Sequence, residues 1–200
     1  MMPFLAQETQ NELVTLAERY GQPLTRSIDL GQTKQFDPIN KSDRYGEVCM
    51  VVRRKNGRLL TMKKTFYPTD AYRLLTGGIN HEEAVFDALL RETNEETGLE
   101  VEVKRFLVAA AYITAATGDQ PVFYSFAFLL DEVGGTLGVI DESERVEAFL
   151  EIEPAELPQR AAILEQLEGP RFSFEIDGSW SDWGKFRAAV HQLVWEALKH

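Results

Sequence analysis

Three glutamates lie within five consecutive residues of the stretch "RETNEETGL", which spans residues 91–99. At about 100° per residue, Glu92, Glu95 and Glu96 fall within an arc of about 100° on a helix. Like charges at this spacing repel each other. Carboxylate oxygens presented together are also the ligands that hard divalent ions such as Mg²⁺ and Mn²⁺ prefer. The cluster therefore indicates either a cation site or a solvated acidic face near the end of a helix.

The apolar face of the same predicted helix runs into the acids. Val85, Ala88 and Leu89 occupy the same arc two turns earlier, so a face that should pack on a sheet becomes acidic. Burying carboxylates without a counter-charge is costly, and the helix dipole disfavours anions near a C-terminus. Arg91 lies one turn from Glu95 and is placed to brace some of the acids. The spacing alone does not decide between the two interpretations.

The elements that must position these acids alternate between strands and helices. A helix is predicted over residues 81–98, ended by Gly98 at a C-cap position. Strands are predicted at residues 46–54, 58–64, 99–114, 121–133 and 145–152, and further helices at 8–20, 154–169 and 181–199. Such mixing is typical of an α/β or α+β domain. Residues 1–45 are predicted to form an N-terminal extension, with a helix, a loop and a possible edge strand around residues 26–30. Residues 46–200 are predicted to form the main domain with its C-terminal helix.

A wider pattern around the acids resembles the box of the Nudix family. Glycine, five residues, glutamate and seven residues precede the "RETNEETGL" stretch, with the family's spacing. The matching positions are Gly77, Glu83, Arg91, Glu92, Glu95, Glu96, Gly98 and Leu99. Thr93 stands where the family usually has an aliphatic residue, but its shape is close to that of valine, so the helix should still pack. "NHE" before Glu83 also departs from the usual Glu-Pro-Gly, without removing a core metal ligand.

The resemblance implies an α/β fold, an α/β/α sandwich with a mixed sheet, and a divalent-metal site. It implies that Arg91 pairs with Glu83 and orients Glu92, and that Mg²⁺ or Mn²⁺ is the cofactor. The implied metal ligands are Glu92, Glu95, Glu96 and the main-chain carbonyl near Gly77. In such a site, metal-activated water attacks the phosphorus of a diphosphate.

The base that completes the activation of water has two candidate sources. In the family it is either a box glutamate or a glutamate in a later loop. The stretch "DESE" offers Glu142 and Glu144, of which Glu144 is preferred. The competing interpretation is that "DESE" is only a solvated acidic linker.

A few residues outside the box are candidates for holding the substrate. Arg53 and Arg73 belong to the main basic concentration in an acidic chain and are placed to contact phosphates. Tyr72 is a candidate for stacking on a base. The alternatives are that the arginines are ordinary surface charges and that the tyrosine packs in the core.

The predicted activity is metal-dependent hydrolysis of a diphosphate linkage in a nucleoside diphosphate derivative. A nucleoside diphosphate sugar and a nucleoside triphosphate are the leading substrate classes. The ADP-ribose group of the family tends to carry a proline about fifteen residues after the box, and Pro121 comes too late for it. The alternative is a Nudix domain that senses a nucleotide without hydrolysing it, which the intact box disfavours.

Composition excludes several other functions. The net charge of −11 repels polyanions, so we expect a small-molecule partner and neither a nucleic-acid polymer nor an anionic membrane. Cys49 is the only cysteine, which excludes a disulfide framework, and no apolar run is long enough to span a bilayer. A cytoplasmic location is expected, since residues 1–10 show no signal peptide.

Trp180, Trp183 and Phe186 either anchor the C-terminal helix or serve a homodimer interface.

Overall fold

The computed structural model describes residues 2, 4–32, 36–169 and 172–200, and it contains one mixed sheet flanked by helices. The strands are β1 (Leu24–Asp29), β2 (Arg44–Arg53), β3 (Leu59–Lys64), β4 (Arg73–Asn80), β5 (Leu99–Ile113), β6 (Phe123–Gly135) and β7 (Val146–Ile152). The helices are α1 (Gln7–Tyr20), α2 (Val85–Thr97), α3 (Leu157–Glu165) and α4 (Trp180–Leu198).

The seven strands are ordered β1-β5-β6-β2-β4-β3-β7 across the sheet. The β1–β5 and β2–β6 pairs are parallel, and the other neighbouring pairs are antiparallel. The sheet is therefore mixed, and the chain has the expected α/β class. β1 lies at one edge, where the sequence suggested an edge strand. β1 thus belongs to the same sheet as the strands after residue 46. The division of the chain at residue 46 stays a prediction.

Two hydrophobic clusters cover the two faces of the sheet. Successive residues of a strand point to opposite faces, and β2 shows this directly. Val48 and Met50 belong to the cluster that includes the apolar residues of α1 and α2, while Cys49 and Val51 belong to the cluster that includes those of α3 and α4. The layers are thus helix, sheet and helix, as the resemblance implied.

The aromatic residues of α4 lie inside the second cluster. Trp183 and Phe186 are 2% and 0% exposed, and Trp180 is 6% exposed. They anchor α4 on the sheet and on α3, which was one of the two expectations for them. Since these rings are buried within one chain, they do not form an exposed patch for a second copy, and a homodimer stays a prediction without them.

Two helix boundaries differ from the sequence-based expectation. The helix predicted from residue 81 begins at Val85, because Glu82 adopts a positive φ of 67° and the amide of Glu83 donates to Asn80 O in a turn. The helix predicted over residues 154–169 begins with a 3-10 turn, Pro154–Glu156, and its α-helical part ends at Glu165. Within the described residues, none of the helices combines the length and apolar character that crossing a membrane requires.

Candidate active site

The site is built where α2 packs across β4. Gly77 of β4 faces the Glu92 side chain, and a Cβ atom at this position would overlap the carboxylate group of Glu92. At the other end of the box, Gly98 has a φ of 63° and its amide donates to Asn94 O, which ends α2 in the left-handed conformation that glycine tolerates. Both glycines are therefore required by the backbone geometry that brings the acidic turn of α2 against the sheet.

Arg91 holds three of the glutamates and a backbone carbonyl. Its Nε donates to Glu83 Oε1 at 2.8 Å, and its Nη1 lies 2.8 Å from Glu92 Oε1 and 3.0 Å from Glu95 Oε2. Its Nη2 donates to Gly78 O at 3.1 Å. The pairing of Arg91 with Glu83 that the resemblance implied is present. Burial raises the pKa of Glu83, but the hydrogen bonds from Arg91 and Asn80 outweigh it, so the pKa is lowered.

Glu96 is a buried carboxylate without a hydrogen-bonding partner. The residue is 0% exposed, and neither Oε1 nor Oε2 accepts a hydrogen bond from the described residues. Lys64 makes a long ion pair with it, with Lys64 Nζ 4.0 Å from Glu96 Oε1. Burial raises the pKa of Glu96 to about 8, although Arg73 and Lys64 act against it. Burial also raises the pKa of Glu92, with Arg91 opposing.

A hard divalent cation fits the chemistry of this donor set. A buried carboxylate without hydrogen bonds is strongly unfavourable, and a cation is one of the few partners that relieves it. Glu92 lies one turn before Glu96 on α2, so both acids offer oxygen ligands to one region. As placed, Glu92 and Glu95 both contact Arg91, and in the described part of the chain no three His, Cys, Asp or Glu side chains converge on one point.

Glu144 lies close to these acids although it is distant in sequence. It is part of a 3-10 turn, Glu142–Glu144, before β7, and its Oε2 lies 2.8 Å from Lys64 Nζ. Lys64 Nζ also lies 4.0 Å from Glu96 Oε1, so one ammonium group links the two acids. Glu142, the other acid of the turn, is exposed. The structure therefore brings Glu144 to the acidic turn of α2 through Lys64.

A cleft with about 560 Å³ of empty space, its open mouth included, lies beside Gly77 and Gly78. Five cationic side chains line it, and three aromatic residues lie among them. The cations are Lys41, Arg44, Lys64, Arg73 and Arg187, and the aromatic residues are Phe66, Tyr67 and Trp183. Three acids, Asp37, Glu47 and Glu175, also line the cleft, so its cations exceed its acids by two (five minus three), a positive balance in a chain with a net charge of −11.

The three predicted substrate residues are placed differently. Arg73 lines the cleft at 2% exposure, and its Nε donates to Tyr67 Oη at 3.0 Å. Arg53 lies at the far end of β2 and pairs with Asp131 at 2.7 Å, and it is not among the residues that line the cleft. Tyr72 also lies outside the lining, with Lys63 Nζ 5.8 Å from its ring. The structure brings only Arg73 of this set to the acids.

A buried ion pair in the cleft was missed from the sequence. Arg187 Nη1 lies 2.9 Å and 2.7 Å from the two carboxylate oxygens of Glu47, and Ser125 Oγ donates to Glu47 Oε1 at 2.8 Å. Glu47 and Arg187 are 2% and 5% exposed. Two signals point to this pair: an acid inside the apolar stretch "GEVCMVV" of β2, and an arginine four residues after Trp183 on the apolar face of α4.

Comparisons with known proteins agree on one family. A family model described as the NUDIX domain matches residues 44–168. A curated relative, the ADP-ribose pyrophosphatase of Methanocaldococcus jannaschii, is 32% identical over 96 residues, which cover 48% of this chain and 56% of the relative. The chain thus spans little more than half the length of this relative.

Two solved structures are among those to which this chain is similar. A MutT NUDIX hydrolase from Burkholderia pseudomallei is 19% identical with a TM-score of 0.46, covering 78% of this chain and 98% of its own. An ADP-ribose pyrophosphatase from Streptococcus suis is 17% identical with a TM-score of 0.45, covering 78% of this chain and 92% of its own.

Proposed function

Since the chain belongs to the NUDIX domain family, we propose that it hydrolyses the diphosphate linkage of a nucleoside diphosphate derivative with the help of a divalent cation, Mg²⁺ or Mn²⁺. The observation that carries this proposal is Glu96. Its two carboxylate oxygens are buried without hydrogen bonds, one turn from Glu92 and beside a cleft lined with cations. A purely structural glutamate at this position would cost stability, because Lys64 and Arg73 offset only part of its desolvation and no hydrogen bond does so.

One set of residues would bind the cation and another would bind the phosphates. Glu92, Glu95, Glu96 and the main-chain carbonyl of Gly77 would hold the ion. When bound, a divalent ion offsets the charge of the diphosphate and lowers the pKa of a coordinated water. Arg91 keeps the Glu92 carboxylate oriented through the 2.8 Å contact with its Oε1. Arg73 and Lys64, which line the cleft, bind the phosphate oxygens.

Glu144 is the residue that we assign as the base. Its carboxylate lies beside the acidic turn of α2, held by Lys64 Nζ at 2.8 Å from Oε2. A lysine that moves towards a phosphate oxygen frees Glu144 Oε2 to accept the proton of the attacking water. A box glutamate is the alternative base. The two assignments differ in the expected kcat of a Glu144→Gln variant, which falls by on the order of 10² or more only if Glu144 is the base.

We favour a nucleoside diphosphate sugar over a nucleoside triphosphate as the substrate. The curated relative is named for ADP-ribose, which is a nucleoside diphosphate joined to a sugar. The cleft supports a two-part ligand, because aromatic side chains such as Phe66 and Tyr67 lie in it beside the cations. The missing proline after the box counts against ADP-ribose itself, so other nucleoside diphosphate sugars belong in the test.

The test is a panel of nucleotides incubated with Mg²⁺ and the full chain, with released mononucleotides measured by chromatography. The panel contains ADP-ribose, several other nucleoside diphosphate sugars, a dinucleoside polyphosphate and nucleoside triphosphates. We expect turnover of a nucleoside diphosphate sugar, loss of turnover with a chelator, and ¹⁸O from labelled water in the phosphate of a product. Tight binding of one compound without any product would contradict hydrolysis and favour a nucleotide sensor.

A further inference from the structure

The N-terminus of α2 is capped by a side chain from another helix. The first amides of a helix have no partner within it, and a side-chain oxygen of the N-cap residue usually accepts from one of them. Ala84 occupies the N-cap position of α2 and has no such oxygen. Glu12 of α1 accepts instead: its Oε2 lies 3.0 Å from the amide of Val85, and its Oε1 lies 2.9 Å from the amide of Phe86.

Apolar contacts reinforce this link between the two helices. The Tyr20 ring stacks on the Phe86 ring with centroids 5.9 Å apart and an interplanar angle of 10°. The buried residues of α1 belong to the same hydrophobic cluster as the buried residues at the start of α2. The first turn of α2 is therefore fixed by α1 at two points, Glu12 and Tyr20, which lie about two helical turns apart.

A shift at this end of α2 is carried to the acids at its other end. A hydrogen-bonded helix of this length moves largely as one rigid element. Glu92 and Glu96 lie six and ten residues beyond Phe86. At 1.5 Å per residue, this separates them from the cap by roughly 9 and 15 Å. The N-cap residue, Ala84, makes no side-chain hydrogen bond to these amides. The place of the acids thus depends on a contact made by residues 1–45.

We propose that α1 is a positioning element for the acidic turn of α2, and that Glu12 is the positioning residue through which it acts. This gives the N-terminal part of the chain a role in the site without any contact with the substrate. The catalytic part of the inference rests on the proposed function, whereas the structural part does not. A displaced ligand turn is expected to weaken the binding of a cation and to lower turnover, with little change in the binding of the nucleotide.

The experiment compares Glu12→Ala with a matched control, Glu18→Ala. Glu18 lies on the same helix and is exposed. Three properties are measured on the full chain: the amide chemical shifts of residues 91–96, the affinity for Mn²⁺ without substrate, and kcat and KM. We expect Glu12→Ala to shift the amides of residues 91–96, to weaken Mn²⁺ binding and lower kcat by on the order of tenfold, and to leave KM within about twofold. Glu18→Ala should match the wild type in all three.

A second variant separates positioning from capping alone. Ala84 has the extended backbone of an N-cap residue, with φ −68° and ψ 141°, so Ala84→Ser supplies a local cap. In the Glu12→Ala background, this change should restore thermal stability but not the amide shifts, Mn²⁺ affinity or kcat. Recovery of all of them would show that Glu12 only caps the helix and would overturn the inference. Unchanged amide shifts in Glu12→Ala would overturn it too.

The inference stays testable if Glu12→Ala does not fold or if the wild type hydrolyses no nucleotide. If Glu12→Ala does not fold, Glu12→Gln retains one acceptor oxygen and should give a smaller loss in the same direction. If the wild type hydrolyses no nucleotide, the proposed function fails, while the amide shifts still decide whether Glu12 positions the acidic turn.

Discussion

Buried ionisable side chains are concentrated around the cleft. Glu96 and His191 are 0% exposed, Glu47 and Arg73 are 2% exposed, and Arg187 is 5% exposed. The sequence identified Glu96 and Arg73 because the box and the basic stretch mark them. It did not identify His191 or the Glu47–Arg187 pair, because their partners lie on distant strands and helices. Charges that a fold pairs over long sequence distances leave only a weak local signal, such as one acid in an apolar strand.

His191 makes a pH dependence of stability testable. Its Nε2 accepts from the Leu74 amide at 2.9 Å, and its Nδ1 faces Arg187 O at 2.7 Å. Burial, with Arg187 and Arg73 adding to it, lowers the pKa of His191 from 6.5 to about 3. The folded state thus stays neutral while the unfolded state binds a proton. The contribution of His191 to the free energy of unfolding is fully present above about pH 6.5 and is lost as the pH falls towards 3.

The measurement is urea unfolding at about pH 7.5 and about pH 5 for the wild type and His191→Gln. Over this interval His191 should account for a loss of roughly 2 kcal/mol in the wild type, which the variant lacks. Glutamine keeps an oxygen that can accept from the Leu74 amide but has no group that binds a proton in this pH range, so the variant isolates the titration of the imidazole. An equal loss in both proteins would show that His191 is not the group that titrates.

Gly77→Ala tests the contact between β4 and the acids. The added Cβ would overlap the Glu92 side chain, so Glu92 must move. We expect kcat to fall by on the order of tenfold or more, since small misplacements of catalytic groups are costly. Gly138→Ala is the control, because a Cβ at Gly138 meets no heavy atom within 4 Å. Equal activity of the two variants would contradict the role assigned to this contact.

At the scale of elements, long periodic segments were predictable and their ends were not. The strands β2, β3, β5, β6 and β7 and the helix α4 lie where alternating and helical apolar patterns placed them, whereas β4 was not predicted as a strand. The start of α2 was placed four residues too early, since nothing in "HEEA" reveals that Glu82 adopts a positive φ or that the cap comes from α1. A cap supplied by another helix is a tertiary contact, which the local sequence pattern does not predict.

Gly184→Ala tests the packing of α4 on α3. A Cβ at Gly184 would overlap the carbonyl oxygen of Leu164, so the two helices must separate. In an exposed helix, glycine to alanine stabilises by roughly 1 kcal/mol. Here we expect the opposite sign, a loss of roughly 1–3 kcal/mol from overpacking. Chemical denaturation measures it, and a stabilised variant would show that α4 does not approach α3 this closely.

At the scale of the whole molecule, the cleft differs in charge from the chain as a whole. The chain carries a net charge of −11, yet five cations and three acids line the cleft beside Gly77 and Gly78. Composition predicted the acidic surface and hence a small anionic ligand rather than a polyanion. The cleft itself was not predictable, because its cations come from the loop before β2, from β2, from β3, from β4 and from α4. Only the folded chain brings them together.

The binding of Mn²⁺ to the wild type and to Glu96→Gln, measured by titration together with kcat, tests the central claim most directly. Glu165→Gln, an exposed change on α3, is the control. We predict that the wild type and the control bind Mn²⁺. For Glu96→Gln we predict at least tenfold weaker binding and a kcat lower by on the order of 10² or more, with unchanged circular dichroism. Equal Mn²⁺ affinity and near-wild-type kcat in Glu96→Gln would contradict the account.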